Sequence, residues 1–451
     1  MQKFQSTNPY TSEIIGEYPV ISSSVLNQKL DLTNQAYQFW RKTSFKYRAD
    51  LFIALRAELL ANRDKYALLI TQEMGKHLRE ARAEIEKSAL ICGYFAENAE
   101  AFLEPQRGNT LHESWIRFEP IGAVFAIMPW NFPFWQVLRY ATAAIMAGNV
   151  SVLKHAPNVM GSAMALEQLF LKVGFPAGVF QSLLIDVPAV ESVIAHPIVQ
   201  AVMLTGSDKA GSAVAALAGK YIKRSVMELG GSDPILILDD ADLDLAAATA
   251  VQSRMGNAGQ VCIAAKRWLV TERNAAAFTA KTKALIESIV QGNPEDETTN
   301  MGPMARPDLV TGLNRQIEKS VGMGAKIITG GGHQGNNFEP TLLVNLTNQM
   351  PVFKEEIFGP VASIFVVKDE AEMLKLANES QYGLAASIWS RDVEKARTMA
   401  EDLEAGSIYI NALVRSDPNL PIGGTKRSGY GRELSAYGIR ELTNIKTLII
   451  K

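Results

Sequence analysis

Apolar strand-length segments alternate with helix-length amphipathic segments from residue 115 onward, and this alternation constrains the fold most strongly. Residues 122–129 (Gly-Ala-Val-Phe-Ala-Ile-Met-Pro) are almost wholly apolar, and a predicted helix to Ala147 and a strand at 150–154 follow them. Such a run is typical of a strand that is covered on both faces. Another predicted strand, at 199–204, leads into a further helix. Strands that alternate with helices predict a doubly wound α/β fold, with a parallel sheet and helices on both of its faces.

A second series of predicted strands and helices follows residue 231, with strands at 234–238, 267–271 and 361–367. The chain has 451 residues, whereas a single hydrophobic core stops growing at about 250–300 residues. The sequence therefore predicts two α/β domains. Long helices over residues 26–65 and 65–103 precede them.

The C-terminal residues 444–451 alternate apolar and polar side chains, which predicts a terminal strand. An edge strand exposes unpaired backbone N–H and C=O groups that must be covered. We expect this tail to pair with a second subunit, alongside a ribbon formed by residues 102–120.

Composition excludes several classes of protein. A net charge of −2 with 20% charged residues shows no basic surface for nucleic acid or membranes. The apolar run at 121–128 is far shorter than the about 20 residues that span a bilayer, and the N-terminus lacks the apolar core of a signal peptide. Two cysteines and five scattered histidines form neither a disulfide framework nor a metal-ligand spacing. We expect a metal-free, cytoplasmic protein.

One of the two cysteines, Cys262, ends the glycine-containing loop 256–262, about one helix after Glu228. A thiolate is a strong nucleophile toward a carbonyl carbon. A nearby carboxylate could deprotonate the thiol, or a water molecule that attacks a thioester. Taken alone, Cys262 could equally be a small buried apolar residue.

Other polar residues follow predicted strands, where doubly wound sheets bind ligands. Asn131, within Pro-Trp-Asn-Phe-Pro at 129–133, could stabilise an oxyanion together with the Cys262 N–H, or belong to a turn between prolines. Lys154 could bind ribose hydroxyls or be solvated. The Thr-Gly-Ser sequence at 205–207 precedes a helix and suits a pyrophosphate, although a Gly-x-Gly-x-x-Gly fingerprint is absent.

Two later segments have a functional and a structural interpretation. Glu356 could hold a cofactor ribose with Phe358 against the ring, or the pair could end a surface helix at a tight turn. The glycine-rich residues 423–433 suggest phosphate binding, but without a strand-loop-helix context we interpret them as a structural turn.

Together these segments resemble the aldehyde dehydrogenase superfamily, in the same order and over essentially the whole chain. The resemblance implies that Cys262 is the nucleophile, Glu228 the general base and Asn131 the oxyanion donor. It implies that Lys154 and Glu356 bind ribose. The other cofactor-binding residues that it implies are Met128, Pro129, Trp130, Ala156, Pro157, Gly206, Ser207, Leu229 and Phe358.

The fold that this resemblance implies has three parts. Residues 1–101 and 121–230 would form a Rossmann-like NAD(P)-binding domain, and residues 231–430 an α/β catalytic domain. Residues 102–120 and 431–451 would form a small β ribbon and tail for oligomerisation, giving a homodimer or a homotetramer.

Within the superfamily, four segments resemble the short-form bacterial and cyanobacterial succinate-semialdehyde dehydrogenases. The implied reaction is NAD(P)-dependent oxidation of succinate semialdehyde to succinate. A broader enzyme for glutarate semialdehyde or aliphatic aldehydes remains an alternative, as does an inactive structural or binding homologue. The segments are 128–139, 154–158, 228–234 and 428–435.

A predicted aldehyde tunnel contains one arginine. Phe132, Gln136 and Arg139 are spaced to share a helix face. An arginine among aromatic side chains needs an anionic partner, and we expect the substrate carboxylate, with a salt bridge to a protein carboxylate as the alternative. The resemblance adds Ser416 as a second contact to that carboxylate and Trp135 as a residue that narrows the tunnel.

Two positions depart from the family pattern. Pro157 stands where many NAD-linked relatives have a glutamate that binds the adenosine 2′-hydroxyl. No clear arginine for a 2′-phosphate lies nearby, although His155 does, so we favour NAD and expect NADP to be usable. Val261 stands where some relatives have a second cysteine, so no adjacent thiol can protect Cys262. We therefore expect irreversible inactivation by peroxide unless bound cofactor shields the thiol.

Overall fold

The computed structural model describes residues 2–451, and these confirm the predicted α/β class. The predicted helix 26–65 is broken at residues 41–44 and again at Asn62, and the predicted helix 65–103 is broken once. The break in the second helix falls at Gly75, whose φ of +79° ends a helix at little steric cost. The first elements are the hairpin β1 (Lys3–Thr7) and β2 (Ile14–Pro19), then α1 (Ser23–Trp40), α2 (Phe45–Ala61), α3 (Arg63–Met74) and α4 (Leu78–Phe102).

A six-stranded sheet contains the first series of predicted strands. Its elements are β5 (Ala123–Met128), α5 (Trp135–Met146), β6 (Val150–His155), α6 (Met160–Lys172), β7 (Phe180–Ser182), α7 (Val190–Ala195), β8 (Val199–Thr205), α8 (Asp208–Lys220), β9 (Arg224–Glu228) and β21 (Gly429–Tyr430). The strand order is β21, β9, β8, β5, β6, β7, and the neighbours are parallel except for antiparallel β21. Although residues 429–430 fall in the segment predicted as the catalytic domain, they extend this first sheet.

A seven-stranded sheet contains the second series. Its elements are β10 (Asp233–Ile237), α9 (Leu243–Met255), β11 (Ala265–Thr271), α10 (Glu272–Glu287), α11 (Pro307–Gly322), β12 (Lys326–Thr329), β15 (Thr341–Val344), α12 (Pro351–Lys354), β16 (Val361–Val367), α13 (Glu370–Asn378), β18 (Ala385–Trp389), α14 (Val393–Glu401) and β19 (Ser407–Ile410). The order is β12, β15, β16, β11, β10, β18, β19, and only the β12–β15 pair is antiparallel. Two short hairpin-like pairs accompany it: β13 (His333–Gln334) with β14 (Asn337–Phe338), and β17 (Tyr382–Gly383) with β20 (Thr425–Lys426).

Apolar cores lie on both faces of each sheet. One core joins the six-stranded sheet to the N-terminal helices. Along β10, Ile235 and Ile237 belong to one core and Leu236 to another, because successive strand residues point to opposite faces. Within residues 2–451, none of the helices combines the length and the apolar character needed to cross a membrane.

The C-terminal tail forms a three-stranded sheet with the predicted ribbon. Its elements are β3 (Gln106–Arg107), β4 (Glu113–Pro120), α15 (Ser435–Glu441) and β22 (Thr443–Ile450). β22 pairs antiparallel with β4 over its full length, so the tail pairs first with its own chain. Within residues 2–451, no strand covers the other edge of β22, where Ile445 and Ile449 are more than half exposed.

Candidate active site

The carboxyl ends of four parallel strands supply the first set of predicted site residues. β5 ends three residues before Asn131, β6 contains Lys154, β8 ends just before Gly206, and β9 ends at Glu228. Parallel neighbours end at the same edge of a sheet, so these residues lie along one edge, where ligands bind doubly wound sheets.

The loop before Cys262 is tightly constrained. Asn257 and Ala258 both have left-handed backbone angles, with φ of +52° and +51°. Gly259 has φ of +71°, and a Cβ atom there would lie 2.1 Å from the carbonyl oxygen of Gly359. Only glycine permits this approach, which brings the Cys262 loop against the segment that follows Glu356.

A buried arginine holds the same two segments together. The Arg254 guanidinium donates to the carbonyl oxygens of Ile357 and Val361, each at 2.7 Å, and to that of Gly259 at 3.3 Å. Burial lowers the pKa of Arg254 to about 9. With a further bond to the Gly359 carbonyl, hydrogen bonds to four carbonyls offset the cost of burying this cation.

Two cavities meet at Cys262, which is the one residue of 2–451 that lines both. The first has a volume of about 350 Å³ and the second about 280 Å³. The first is lined by Pro129, Trp130, Asn131, Thr205, Gly206, Ser207, Leu229, Gly230, Cys262, Arg306, Leu309, Glu356 and Phe358. The second is lined by Glu80, Ala83, Glu84, Lys87, Phe132, Trp135, Gln136, Arg139, Val261, Cys262, Ile263, Ser416 and Ile422.

Asn131 is fixed through both its backbone and its side chain. Its carbonyl oxygen accepts hydrogen bonds from Lys76 Nζ at 2.8 Å and Asn257 Nδ2 at 3.0 Å. Its Nδ2 donates to the Gln260 carbonyl oxygen at 3.0 Å. The second hydrogen on Nδ2 and the backbone N–H of Cys262 have no hydrogen-bond acceptor within residues 2–451. Both donors are therefore available to an oxyanion.

Lys266 connects the nucleophile with the predicted ribose-binding carboxylate. Its buried Nζ donates to the Cys262 carbonyl oxygen at 2.5 Å and lies 3.2 Å from Glu356 Oε1. Burial raises the pKa of the Cys262 thiol to about 11, an effect that Lys266 and Arg139 oppose and that Glu228 strengthens. At neutral pH the thiol of the free protein is therefore protonated and needs a base.

Glu228 provides a carboxyl suited to that task. It is only 4% exposed, and its Oε1 atom has no hydrogen-bond partner within residues 2–451. Burial raises the pKa of Glu228 to about 8, while the charge of Arg139 lowers it and that of Glu433 raises it. A carboxyl that titrates near neutral pH can both accept and release a proton during turnover.

Arg139 lines the second cavity but is already paired with a protein carboxylate, so its contact with a substrate carboxylate stays a prediction. Its guanidinium is buried and bonds to both carboxylate oxygens of Glu433, with an Nη2–Oε1 distance of 3.1 Å. Its Nη2 also lies 3.8 Å from Glu228 Oε2. The planar fork of a guanidinium matches a carboxylate in this way, and the salt bridge given as the alternative is the one observed.

Ser416 and Trp135 lie in the second cavity as predicted, and a lysine that the sequence did not single out joins them. Lys87 Nζ donates to Ser416 Oγ at 2.6 Å and lies 4.2 Å from the centroid of the Trp135 ring. Phe132 and Gln136 also line this cavity.

Most of the predicted cofactor residues line the first cavity, but Met128, Lys154, Ala156 and Pro157 lie outside its wall, at the ends of β5 and β6. Glu356 Oε1 accepts a hydrogen bond from the Gly231 N–H at 3.0 Å.

Two further contacts shape the wall of the first cavity. A Cβ atom at Gly230 would lie 2.3 Å from Glu356 Oε2, so a glycine is needed there. The Phe358 ring packs edge-on against Trp130, with centroids 5.8 Å apart.

Two residues on the wall of the first cavity, and a lysine just outside it, fit a dinucleotide. Thr205 Oγ1 is buried without a hydrogen-bond partner within residues 2–451. Ser207 caps the N-terminus of α8, where free N–H groups favour a pyrophosphate. Lys154 is 8% exposed and has neither a hydrogen bond nor an ion pair to residues 2–451, so its ammonium awaits a polar ligand.

His155 cannot supply a charge for a 2′-phosphate. Its two ring nitrogens lie 3.2 Å and 2.9 Å from the carbonyl oxygens of Met128 and Pro133. Burial lowers the pKa of His155 to about 4, so the ring is neutral at physiological pH.

Sequence reasoning missed several residues that shape the site. Lys266 and Lys87 carried no motif, although Lys87 shares a helix face with Glu80 and Glu84 at spacings of three and seven residues. Glu433 was part of a segment interpreted as a structural turn. No local pattern in the sequence indicated its pairing with Arg139.

The comparisons agree with this geometry, and the chain belongs to the aldehyde dehydrogenase family. The family model matches residues 1–448. Succinate semialdehyde dehydrogenase [NAD(P)+] Sad of Escherichia coli is 44% identical over 449 residues, which are 98% of this chain and 97% of that protein. A probable succinate-semialdehyde dehydrogenase [NADP(+)] of Synechocystis is 42% identical over 98% of both chains.

Solved structures agree with the fold as well. The succinic semialdehyde dehydrogenase of Streptococcus pyogenes, solved in complex with NADP+, superimposes with a TM-score of 0.97 at 35% identity. The match covers 99% of each chain. The aldehyde dehydrogenase fold predicted from the sequence is therefore confirmed.

Proposed function

We propose that this protein oxidises succinate semialdehyde to succinate with NAD(P), using Cys262 as the nucleophile. The observation that carries this proposal is the position of Cys262 between the two cavities. One cavity has the residues for a dinucleotide, and the other has the room and the side chains for an aldehyde. The names of the relatives from Escherichia coli and Synechocystis support the choice of substrate.

The first step is attack of the Cys262 thiolate on the aldehyde carbon. The new carbon–sulfur bond gives a thiohemiacetal, and the carbonyl electron pair moves onto the oxygen. The free Asn131 Nδ2 hydrogen and the Cys262 N–H stabilise this negative charge. The proton of the thiol passes to a base, for which Glu228 is the candidate.

The residues that would hold the cofactor are Lys154 and Glu356 at ribose and Gly206 and Ser207 at the pyrophosphate. Bound NAD(P) supplies an acceptor for the hydride that leaves the thiohemiacetal carbon. Lys266 holds the Glu356 side chain in place, because its Nζ lies 3.2 Å from Glu356 Oε1. The carbon that has lost its hydride is then a thioester of Cys262.

Glu228 first releases the thiol proton to solvent and then, as a carboxylate, takes a proton from the water molecule that attacks the thioester. The carbon–oxygen bond forms, the carbon–sulfur bond breaks, and the products are the carboxylic acid and the Cys262 thiolate. Only the ionised carboxylate accepts this proton, so hydrolysis speeds up as the pH rises through the Glu228 pKa of about 8.

The cofactor preference stays a prediction. We expected NAD to be favoured, whereas Pro157 leaves no carboxylate to repel a 2′-phosphate and Lys154 has no partner within residues 2–451. The relatives are named with NAD(P)+ or NADP(+). We propose that both cofactors are used, and the ratio of kcat/KM with NAD and with NADP decides the preference.

We also propose that the protein is a homodimer or a homotetramer. β22 and β19 are both edge strands, and the outer edge of β22 is exposed together with Ile449. An exposed edge strand with apolar side chains favours pairing with another chain. Light scattering after size exclusion should find a multimer, and Ile449→Lys should weaken it. A monomeric wild-type protein at micromolar concentration would remove this proposal.

Initial rates with succinate semialdehyde, glutarate semialdehyde and propanal test the reaction and its substrate. We expect kcat/KM for succinate semialdehyde to be about 100-fold above that for propanal, because a single charge-assisted contact can supply this difference. Cys262→Ala should abolish turnover of all three aldehydes. Equal rates with the charged and neutral aldehydes would leave a general aldehyde dehydrogenase. Turnover that survives Cys262→Ala would refute the mechanism.

A further inference from the structure

The second cavity contains a cation without a counter-ion. Lys87 lies on the face of α4 that also carries Glu80 and Glu84. Its ammonium donates to one neutral oxygen, Ser416 Oγ, and stands against the Trp135 ring. Within residues 2–451 no carboxylate oxygen lies within 4 Å of it. An ammonium has three donors, so two remain unused.

The acidic side chains of this cavity are already engaged elsewhere. Glu84 pairs with Lys76 and accepts the N–H groups of Phe134 and Trp135 at 2.9 Å and 3.1 Å. Glu80 accepts the N–H of Asn257 at 3.0 Å.

The other cation of the cavity is also engaged. Arg139 is neutralised by Glu433. Among the cations of this cavity in residues 2–451, Lys87 is therefore the one that has no carboxylate partner within 4 Å.

We propose that Lys87 binds the carboxylate of the aldehyde substrate, with Ser416 as its neutral partner. The proposal rests on the function proposed above and places a contact to the substrate carboxylate on α4. Taking a cation out of water is unfavourable unless an anion or several hydrogen bonds replace the water. A carboxylate that enters the second cavity supplies that anion, whereas a neutral aldehyde does not.

The electrostatic surroundings of Lys87 are consistent with this role. Burial lowers the pKa of Lys87 to about 8, and the charges of Arg139 and Arg415 lower it too. Glu84 and Asp417 raise it. Lys87 is therefore charged below about pH 8 and loses its charge as the pH rises beyond that value. The preference for an anionic aldehyde should fall over the same range.

The test compares two aldehydes of four carbons, succinate semialdehyde and butanal, in three proteins. Lys87→Met keeps the length of the side chain but removes the charge, and Lys87→Arg keeps the charge. A hydrogen bond to a charged group is worth about 1.5–3 kcal/mol, or about 10- to 150-fold. Lys87→Met should lower kcat/KM for the semialdehyde by that factor, mainly through KM, and change the value for butanal less than about twofold. Lys87→Arg should recover most of the loss.

Each outcome separates this proposal from the proposed function. A wild-type protein that does not prefer the semialdehyde over butanal would overturn the substrate itself. A wild-type preference that persists in Lys87→Met would overturn only the role of Lys87. Equal losses on both aldehydes would assign Lys87 a structural role and also refute the proposal.

Two further measurements, one on the wild-type protein and one on a Ser416 variant, need no variant at position 87. The ratio of kcat/KM for the semialdehyde to that for butanal cancels the titration of Cys262 and Glu228. It should fall as the pH rises above about 8, and a constant ratio from pH 7 to pH 10 would contradict the proposal. If Lys87→Met does not fold, Ser416→Ala should still lower kcat/KM for the semialdehyde more than for butanal. Equal effects on the two aldehydes would count against the site.

Discussion

Replacing Arg139 by methionine tests whether this side chain stabilises the folded protein or binds the substrate. The change removes a guanidinium from between two buried carboxyls, Glu433 and Glu228. Removing one member of a buried ion pair costs about 3–5 kcal/mol, because the other charge is left without compensation. We therefore expect the free energy of unfolding to fall by about this amount.

The same change should alter the pH dependence of turnover. Arg139 lowers the pKa of Glu228, which burial has raised to about 8. Without the guanidinium this pKa rises further, and the half-maximal point of kcat moves to higher pH. Glu433→Gln is the matched control, because it removes a charge that raises the Glu228 pKa and frees Arg139 for Glu228. The profile of that variant should move to lower pH.

The assays are denaturant unfolding and kcat measured from pH 6 to pH 10 with succinate semialdehyde and butanal. Both aldehydes should show the same shifts, since Arg139 is bonded to Glu433 and not to the substrate. The double variant Arg139→Met, Glu433→Gln should regain part of the lost stability, because neither charge remains unpaired. A loss confined to the semialdehyde, with unchanged stability, would refute this reasoning and restore Arg139 as the carboxylate contact.

Three further predictions concern the thiol and the free lysine. The rate at which iodoacetamide alkylates Cys262 in the cofactor-free protein should rise with pH up to about pH 11, because the thiolate is the reactive form. Cys262→Ala should not be alkylated, since the other cysteine, Cys92, is buried. A rate that is already maximal at pH 8 would contradict this prediction. Peroxide should inactivate the protein irreversibly, because Val261 offers no second thiol, and full recovery with dithiothreitol would show the opposite. Below pH 8, the free energy of unfolding of Lys87→Met should be up to about 3 kcal/mol higher than that of the wild type, because burial lowers the pKa of Lys87 from 10.5 to about 8. That gain should vanish toward pH 10.5, and a gain that is constant with pH would exclude burial of the charge as its cause.

The strands were predictable because a strand that is buried on both faces consists almost wholly of apolar residues. Residues 123–128 of the predicted strand 122–129 form β5, and five of these six side chains are buried. The breaks in the N-terminal helices could not be predicted, because amphipathic periodicity continues from one helix into the next. Gly75 marked one break, but glycine also occurs within helices, so its identity alone did not predict an end.

The position of several site residues at one edge of the first sheet was predictable for a topological reason. Because parallel strands end at the same edge, the residues after β5, β8 and β9 had to converge, and Asn131, Gly206 and Glu228 lie there. The position of Cys262 between two cavities depends instead on contacts between segments that are far apart in the sequence, such as that of Gly259 with Gly359. Sequence spacing carries no information about such contacts unless a family resemblance supplies it.

Arg139 and Lys87 show why residue type alone does not tell which cation of the second cavity lacks a protein partner. An arginine in an aromatic tunnel indicated an anionic partner correctly, but the partner is Glu433, which lies 294 positions away in the chain. Only the pairing pattern decides which cation stays free, because Arg139 with Glu433 and Lys76 with Glu84 cancel locally. On our proposal, the preference of the second cavity for an anionic aldehyde therefore depends on Lys87, the cation of its wall that has no carboxylate partner.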